Sequence, residues 1–298
     1  MTKKILIVGG SGFLGFNLAK KLDSSKFKIF LLCKNKKSRP SKLKKAKYLY
    51  CDLQNISKLN KVLNTNFDII VNFSGNIDHQ NKSETYKTHY QGVKNLVSLV
   101  RNKGVKLFIQ AGSSLEYGNK KSPQVEQTRS SPVSIYGKAK YLASRFLLNK
   151  KNKFKVIILR MYQVYGPYQK KDRLIPQVIN SCLQHKTFPC TEGKQIRDFL
   201  YVDDLCNLIL KILKKNSLSS GIYNVGTEKP VTVKNVIKKI VKISKGGEPN
   251  FGKIKMRKDE IDYLYPNIRK VKKEFNWTPK VSLNKGLIKT IKFYEKRK

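Results

Sequence analysis

The sequence predicts an α/β protein built on a doubly wound parallel sheet, and two observations lead to this fold class. Short runs that are apolar on both faces and rich in β-branched residues indicate buried parallel strands. They cover residues 5–8, 29–32, 69–72, 107–111 and 156–159. Amphipathic stretches at helical spacing lie between them, such as 13–22, 56–63 and 93–101. Strands and helices that alternate in this way form right-handed crossovers, and their ligands bind at the carboxyl ends of the strands.

A glycine-rich turn follows the first predicted strand and opens the first predicted helix. Gly9, Gly12 and Gly15 lie in the segment Gly-Gly-Ser-Gly-Phe-Leu-Gly. Glycines at this spacing allow a tight turn, a close approach of the backbone to a pyrophosphate, and close packing of helix on strand. The helix N-terminus adds N–H groups and a positive dipole for the anion. In this strand–turn–helix context the motif predicts dinucleotide binding.

The alternation of strands and helices ends after Gly166. Helices are predicted around 175–183, 202–213, 233–243 and 283–294, and a strand at 222–225. Asp203 or Asp204 would cap the second of these helices. The sequence therefore predicts a dinucleotide-binding domain over residues 1–165, with returning segments within about 197–228. A smaller C-terminal lobe is predicted over 166–196 and 229–298.

Composition limits the class of protein. With 40% hydrophobic residues among 298, the chain can bury a core, which excludes an entirely disordered protein. The net charge of +44 attracts polyanions at low salt: nucleic acid, an anionic membrane surface or a phosphorylated small molecule. The five cysteines include no C-x-x-C pair, and three histidines are too few for a clustered metal site. We therefore expect no bound metal, a reducing cytoplasm and, without long apolar runs, no transmembrane segment.

The cofactor preference is predicted from a missing carboxylate. In NAD-binding sites an acidic residue about twenty residues after the glycines holds the ribose. Here no Asp or Glu occurs between Asp23 and Asp52, and the loop 33–39 contains Lys34 and Lys36. We therefore predict NADP rather than NAD, although lysines are abundant throughout this chain. Asp52 is predicted to accept a hydrogen bond from the adenine amino group; its alternative role is to cap the next helix, and the two roles are compatible.

Tyr136 and Lys140 are four residues apart in a stretch with helical periodicity, so both lie on one face. A tyrosine hydroxyl ordinarily titrates near pH 10, and a nearby ammonium group lowers its pKa towards the neutral range that proton exchange needs. The pair alone is expected by chance in a lysine-rich chain. Ser113 and Ser114, however, follow a central predicted strand, where a substrate carbonyl would lie. Together these residues predict hydride transfer at a carbinol carbon.

These motifs resemble the extended short-chain dehydrogenases/reductases, in particular the nucleotide-sugar epimerase/dehydratase family. The similarity runs nearly from end to end and includes residues 9–15, 112–118, 136–140, 160–167, 196–204, 223–226 and 276–279. The resemblance implies a Rossmann-type sheet, a C-terminal lobe that binds a nucleotide-diphosphate sugar, and a homodimer. It also implies that Ser113 orients the sugar oxygen, Tyr136 exchanges the proton and Lys140 tunes Tyr136.

The resemblance also implies the binding residues. The expected cofactor contacts are Gly9, Gly12, Phe13, Leu14, Gly15, Lys34, Lys36, Asp52, Leu53, Ser74, Tyr136 and Lys140. The expected substrate contacts are Ser114, Gln163, Leu174, Ile175, Arg197 and Arg257. Arg197 would bind the diphosphate, or alternatively form a salt bridge with Asp198 or Asp203.

Departures from the family pattern narrow the reaction. Ser114 and Leu115 stand where dehydratases of the family carry an Asp-Glu pair, and leucine cannot take a proton, which argues against 4,6-dehydration. Gln163 replaces a common Asn, and His89 stands where an Asn is frequent. The segment 250–261 resembles a subgroup that contains 4-keto-deoxysugar reductases.

The leading hypothesis is an NADP-dependent reductase of a nucleotide-linked 4-keto-6-deoxyhexose, in deoxysugar or surface-polysaccharide biosynthesis such as that of lipopolysaccharide. The alternative is a 4-epimerase of the UDP-hexose type that retains NAD. A third class, an RNA-binding member of the fold without catalysis, suits the charge but not the complete set of Ser113, Tyr136 and Lys140. The remaining charge fits a lysine-biased proteome or a weak attraction to an anionic membrane, rather than a specific nucleic acid.

Overall fold

A seven-stranded sheet organises the first part of the protein in the computed structural model, which describes residues 2–36, 42–75, 81–149, 152–257 and 260–297. Its strands are Lys3–Val8 (β1), Phe27–Cys33 (β2), Ala46–Tyr50 (β3), Ile69–Asn72 (β4), Leu107–Ser113 (β5), Lys155–Met161 (β6) and Gly221–Val225 (β11). Their order is β11-β6-β5-β4-β1-β2-β3. The pairs from β3 to β6 are parallel. The predicted doubly wound α/β fold is therefore confirmed.

Helices connect these strands and bury their apolar faces on the sheet. They are Phe13–Lys21 (α1), Ile56–Val62 (α2), Lys82–Tyr86 (α3), Gly92–Val100 (α4) and Ile135–Leu147 (α5), with a π-helical turn at Lys87–Gln91 and a 3₁₀ turn at Ser114–Glu116. Leu59 of α2, Leu96 of α4 and Leu147 of α5 pack with strand residues in one fully buried cluster. This core holds the carboxyl ends of the strands in place.

Strand β3 was not expected from the sequence, and β5 is longer than expected. β3 has only half-buried side chains and an exposed Lys47, because it forms the edge of the sheet. It therefore lacks the apolar run that indicates a buried strand. β5 continues to Ser113, and all seven of its residues are buried. Ser113 is thus the last residue of a central strand, at the edge of the sheet where ligands bind in this fold.

The chain divides into two compact units. The first comprises Met1–Lys120, Glu126–Met161 and Leu210–Asn224, and the second Lys121–Val125, Tyr162–Ile209 and Val225–Lys298. The remaining strands are Gln163–Tyr165 (β7), Thr187–Pro189 (β8), Ile196–Arg197 (β9), Phe199–Tyr201 (β10), Val231–Thr232 (β12), Glu248–Asn250 (β13) and Tyr263–Leu264 (β14). They form three small sheets, β10-β7, β12-β9-β14 and β13-β8.

Helices complete the second unit. They are Leu174–Leu183 (α6), Val202–Lys214 (α7), Val233–Ser244 (α8), Arg269–Phe275 (α9) and Leu283–Glu295 (α10), of which α7 extends into the first unit. Ile179 of α6, Ile240 of α8 and Leu287 of α10 meet in a second buried core. Each unit therefore has a hydrophobic core of its own.

The predicted cap of α7 was wrong. The helix begins at Val202, so Asp203 and Asp204 lie inside its first turn instead of preceding it. The Asp204 carboxylate accepts the backbone N–H of Val281 at 2.9 Å, and its carbonyl accepts the indole N–H of Trp277 at 3.1 Å. Asp204 therefore joins α7 to the chain that leads into α10.

The described ranges contain neither a membrane-spanning helix nor a cluster of metal ligands. None of their helices is long and apolar enough to cross a membrane. Nor do these residues contain a group of three His, Cys, Asp or Glu side chains that could hold a metal ion.

Candidate active site

The glycine-rich turn between β1 and α1 is shaped for close approach. Gly9 has a φ of +74°, and a Cβ there would lie 3.0 Å from the carbonyl carbon of Phe73. A Cβ on Gly15 would lie 2.4 Å from the carbonyl oxygen of Gly9, so no side chain fits where α1 packs on the turn. Gly12 is the N-cap of α1 and gives it no side-chain hydrogen bond. The first N–H groups of α1, including those of Phe13 and Leu14, are thus available to an anion. These residues fit a dinucleotide pyrophosphate.

Lys34 follows β2 directly and is held by two carboxylates. Its Nζ lies 2.8 Å from Oδ2 of Asp52 and 3.5 Å from Oε1 of Glu84. The hydrogen bond to Asp52 raises the pKa of Lys34, against the effect of partial burial. Lys36 is exposed, with its Nζ 6.0 Å from the ring centroid of Tyr50. The rest of the predicted phosphate loop, residues 37–39, lies outside the described residues.

Asp52 does not cap the helix that follows it. The N-cap of α2 is Asn55, whose side chain accepts the N–H of Lys58. Asp52 instead accepts the N–H of Gln54 at 3.0 Å and pairs with Lys34. The capping alternative was therefore wrong, and the adenine contact stays a prediction.

Leu53 and Ser74, both expected at the cofactor, have different surroundings. The Leu53 side chain is part of the buried core, and its carbonyl accepts a hydrogen bond from Asn95 at 2.9 Å. A contact from Leu53 would therefore come from its backbone N–H. Ser74 follows β4 at the carboxyl edge of the sheet, where its N–H and hydroxyl bond to Oδ1 of Asn72 at 3.0 and 2.6 Å.

Ser113 ends β5 and begins a tight turn. Its hydroxyl accepts the N–H of Leu115 at 3.2 Å, and its own N–H donates to Glu116 at 2.8 Å. The next residue, Ser114, is 3% exposed. The two serines predicted to meet the substrate therefore lie on one rigid, buried turn at the sheet edge.

Helix α5 carries Tyr136 and Lys140 on one face beside this turn. Ser134 caps the helix, and a Cβ on Gly137 would lie only 2.5 Å from the carbonyl oxygen of Leu115. Lys140 donates to the carbonyl of Ala111 in β5 at 2.8 Å, and its Nζ lies 5.8 Å from the ring centroid of Tyr136. The structure thus brings Tyr136, Lys140 and the serine turn together within the first unit.

Lys140 is charged in a buried place. Burial lowers its pKa to about 8, and the charge of Glu116 opposes this shift. Lys140 therefore loses its proton within about two pH units of neutrality, the range in which acid–base catalysis operates.

No role was predicted for His89 or Glu116, although both lie at this site. The His89 ring packs edge to face on Tyr136, with centroids 4.9 Å apart, from the π-helical turn. Glu116 is fully buried and pairs with Arg160 of β6. The sequence carries one signal of this pair: Arg160 follows the apolar run 156–159 directly, and a buried charge needs a partner of opposite sign.

The predicted substrate residues beyond Ser114 belong to the second unit. Gln163 is half-buried in β7, where its N–H donates to the carbonyl of Asp198 at 3.0 Å. At the start of α6, Leu174 is exposed and Ile175 is buried. Arg257 is exposed in the segment that follows β13. Residues 258–259 of the reductase-like segment lie outside the described residues.

Arg197 is buried in β9 and pairs with Glu260. Its Nη1 also donates to the carbonyls of Ile196 at 2.8 Å and Asp262 at 3.3 Å. Neither Asp198 nor Asp203 is this partner, so the predicted alternative salt bridges were wrong. Asp198 instead accepts hydrogen bonds from the N–H and hydroxyl of Thr227.

Comparison with known proteins decides the family. Residues 5–226 match the sequence profile of the NAD dependent epimerase/dehydratase family. The chain belongs to this family. It is 30% identical to a Bacillus subtilis protein described as an uncharacterized UDP-glucose epimerase, over 72% of this chain and 68% of the relative. It is 27% identical to human dTDP-D-glucose 4,6-dehydratase, over 98% of this chain and 90% of the relative.

Solved structures of the epimerase/dehydratase family have the same fold. The Bacillus anthracis dTDP-glucose 4,6-dehydratase in complex with NAD has a TM-score of 0.86 at 27% identity and covers 99% of this chain and 97% of its own. The Thermotoga maritima UDP-glucose 4-epimerase with UDP-glucose has a TM-score of 0.92 at 24% identity and covers 99% of each chain. These likenesses agree with the Rossmann-type architecture expected from the sequence.

Proposed function

We propose that the protein is an NAD(P)-dependent oxidoreductase that acts at C4 of a nucleotide-linked sugar. The observation that carries this proposal is the arrangement in the first unit. Tyr136 and Lys140 share one face of α5, and this helix packs against the turn that holds Ser113 and Ser114. The glycine turn after β1 supplies the pyrophosphate site at the same edge of the sheet.

Each side chain has a task in this chemistry. The Ser113 hydroxyl binds the C4 oxygen, and Tyr136 gives a proton to it or takes one from it. Lys140, which remains protonated below about pH 8, stabilises the phenolate form of Tyr136. A nicotinamide cofactor held at the glycine turn would supply the hydride to C4 or accept it from there. The protein contributes position and electrostatics to this step, and the buried serine turn keeps water from the reacting oxygen.

The finer proposal is a 4-keto-6-deoxyhexose reductase that uses NADPH. Two sequence features support it: Lys34 lies where an NAD site carries a carboxylate, and Leu115 cannot act as the base of a dehydratase. The two carboxylates that hold Lys34 counter the first feature, because they reduce the positive charge offered to a 2′-phosphate.

A 4-epimerase is the second candidate, and some of the relatives support it. These are proteins described as UDP-glucose and UDP-arabinose epimerases, whereas other relatives are described as dTDP-D-glucose 4,6-dehydratases. An epimerase would use Ser113, Tyr136 and Lys140 twice, once for oxidation at C4 and once for reduction of the other face. Net cofactor consumption separates the two candidates.

The test is a panel of UDP-, dTDP-, CDP- and GDP-linked sugars and their 4-keto derivatives, with NADH or NADPH. A reductase oxidises one equivalent of NADPH for each keto sugar consumed. An epimerase interconverts the C4 epimers with bound cofactor and no net oxidation. If neither reaction occurs while the Tyr136→Phe variant binds RNA as tightly as the native protein at 200 mM salt, the RNA-binding alternative replaces both.

Three predictions complete the proposal. We expect a homodimer, a location in the cytoplasm and only weak attraction to anionic surfaces. Analytical ultracentrifugation tests the first and cell fractionation the second. Binding to anionic vesicles that disappears at physiological salt would agree with the third, because exposed charges are screened there.

A further inference from the structure

Glu116 lies below the candidate active site with its carboxylate saturated by donors. Its Oε1 accepts the N–H of Ser113 at 2.8 Å, and its Oε2 accepts Nε and Nη2 of Arg160 at 3.0 and 2.9 Å. The side chains of Glu116 and Arg160 are 0% and 2% exposed. A Cβ on Gly112 would lie 2.8 Å from Oε1, so the glycine makes room for the carboxylate.

Arg160 is held on all sides. Its Nη2 donates to Ser130 at 2.9 Å, and its guanidinium lies 4.2 Å from the ring centroid of Tyr117. The Tyr117 hydroxyl donates to Asn224 at 2.8 Å. A well-packed apolar pair would stabilise this place as well as a buried ion pair does. The charges therefore call for a reason other than stability.

We infer that Glu116, fixed by Arg160, is a positioning residue that holds the Ser113 turn and sets the electrostatic potential at Tyr136 and Lys140. This inference rests on the proposed function and extends it. The first part follows from the hydrogen bond to the Ser113 N–H. The electrostatic part follows from the opposite charges of Glu116 and Arg160. Because these two charges cancel, the Lys140 ammonium is left as the uncompensated charge beside Tyr136. The Glu116 charge also raises the pKa of Lys140 against the larger effect of burial.

Four elements contribute the titratable and charged side chains in and around the Glu116–Arg160 pair. Tyr136 and Lys140 lie on α5, Arg160 on β6 and Tyr117 directly after the serine turn, while His89 faces Tyr136 from the π-helical turn. Loss of one negative charge here disfavours every bound proton nearby. Both macroscopic pKa values of the coupled Tyr136–Lys140 pair should therefore fall together.

The test titrates Tyr136 directly, without substrate or cofactor. Tyrosinate absorbance is recorded against pH for the native protein and for E116Q, and from each titration that of the same protein carrying Tyr136→Phe is subtracted. We expect the Tyr136 midpoint to fall by roughly one pH unit in E116Q. The double variant E116Q/R160Q is neutral again and should return most of the way to the native midpoint.

Further variants separate charge from position. E116D keeps the charge but shortens the reach to Ser113, so it should lower kcat while the midpoint stays native. R160Q leaves the carboxylate uncompensated and should raise the midpoint, which keeps the test available if E116Q does not fold. E228Q is the matched control, because Glu228 pairs with Lys272 in the second unit. It should leave the midpoint unchanged.

A native midpoint in both folded E116Q and R160Q overturns the inference, as does a double variant shifted as far as E116Q. These outcomes do not depend on turnover. If the native protein fails to convert any nucleotide sugar while the midpoints shift as expected, the proposed function fails and the electrostatic role of Glu116 stands. If the native protein converts a nucleotide sugar while the midpoints of the variants do not shift, the proposed function stands and the electrostatic role of Glu116 fails.

Discussion

Arg160 in the first unit and Arg197 in the second are both buried and each pairs with one carboxylate, but the partners differ. Glu116, the partner of Arg160, is 0% exposed, whereas Glu260, the partner of Arg197, is 26% exposed. Burial acts to lower the pKa of both arginines. At Arg160 burial is the largest single effect, but the charges of Glu116 and Tyr117 and the hydrogen bonds to both together raise the pKa, whereas at Arg197 burial prevails over Glu260 and the pKa is lowered.

We propose that this difference separates a fixed cation from one whose carboxylate partner a ligand can replace. Arg160 has its charge satisfied inside the protein, so it can only support neighbouring groups. Arg197 is incompletely compensated, and its carboxylate partner reaches solvent. A diphosphate could replace Glu260 there and satisfy the guanidinium more fully, because bidentate contacts to phosphate are among the strongest charge-assisted hydrogen bonds.

The largest effect is expected at Tyr136, which tests the assignment of chemistry to the first unit. Tyr136→Phe removes the proton donor and should lower kcat by roughly 10²–10⁴-fold. The dissociation constant for the nucleotide sugar should stay within about twofold, because the aromatic ring is kept. Steady-state kinetics and calorimetry measure the two values. Loss of affinity without loss of kcat would move the chemistry away from this tyrosine.

The next largest effect is expected on the free energy of unfolding when either ion pair is broken. Arg160→Met leaves Glu116 buried and unpaired, which should cost about 3–5 kcal/mol of unfolding free energy. Glu260→Gln keeps a hydrogen-bond acceptor beside the buried Arg197 but removes its charged partner, which reaches solvent, so it should cost less, about 1.5–3 kcal/mol. Urea unfolding of both variants measures the difference. Similar costs for the two would remove this distinction between the two arginines.

The short motifs of the first unit could be predicted from the sequence, whereas the Glu116–Arg160 pair beside them could not. Gly9, Tyr136 and Lys140 are recognised by local spacing, and the five buried strands by their apolar runs. The pairing of Glu116 with Arg160 depends on β5 lying beside β6 with Gly112 opposite Arg160. This register follows from tertiary packing. Glu116 and Arg160 are 44 residues apart in the chain, too far for any helical or strand periodicity to indicate that they meet.

The same limit explains the errors. Aspartate is a residue type that is common at N-caps, but the chain turns again between Asp52 and α2, and Asn55 caps the helix. Arg197 has Asp198 as its neighbour in sequence, but Asp198 lies just after the end of β9, and its carboxylate accepts hydrogen bonds from Thr227 instead. The partner of Arg197, Glu260, comes from the segment that leads to β14.

Arg197 provides a direct test of exchange. Arg197→Met should weaken binding of a nucleoside diphosphate by roughly 10–100-fold, since a hydrogen bond to a charged group contributes about 1.5–3 kcal/mol. Glu260→Gln should strengthen it by about two- to fivefold, because the ligand no longer displaces a carboxylate. Calorimetry with UDP, dTDP, CDP and GDP measures both. Weaker binding in Glu260→Gln would mean that Glu260 orients Arg197 for the ligand and does not compete with it.

A weaker effect than that of Arg197→Met is expected at Lys34, an exposed cation that two carboxylates hold. Its side chain is 63% exposed, so solvent screens its charge more than at either arginine. If Lys34 exchanges Asp52 and Glu84 for a 2′-phosphate, Lys34→Glu should shift the ratio of the NADP and NAD dissociation constants towards NAD by about tenfold, or about 1.4 kcal/mol. Lys45→Glu, which changes the charge equally after the same loop, is the control. A ratio that moves equally in both variants reports the general charge of the chain, whereas a ratio that moves only in Lys34→Glu makes Lys34 the residue that selects the cofactor.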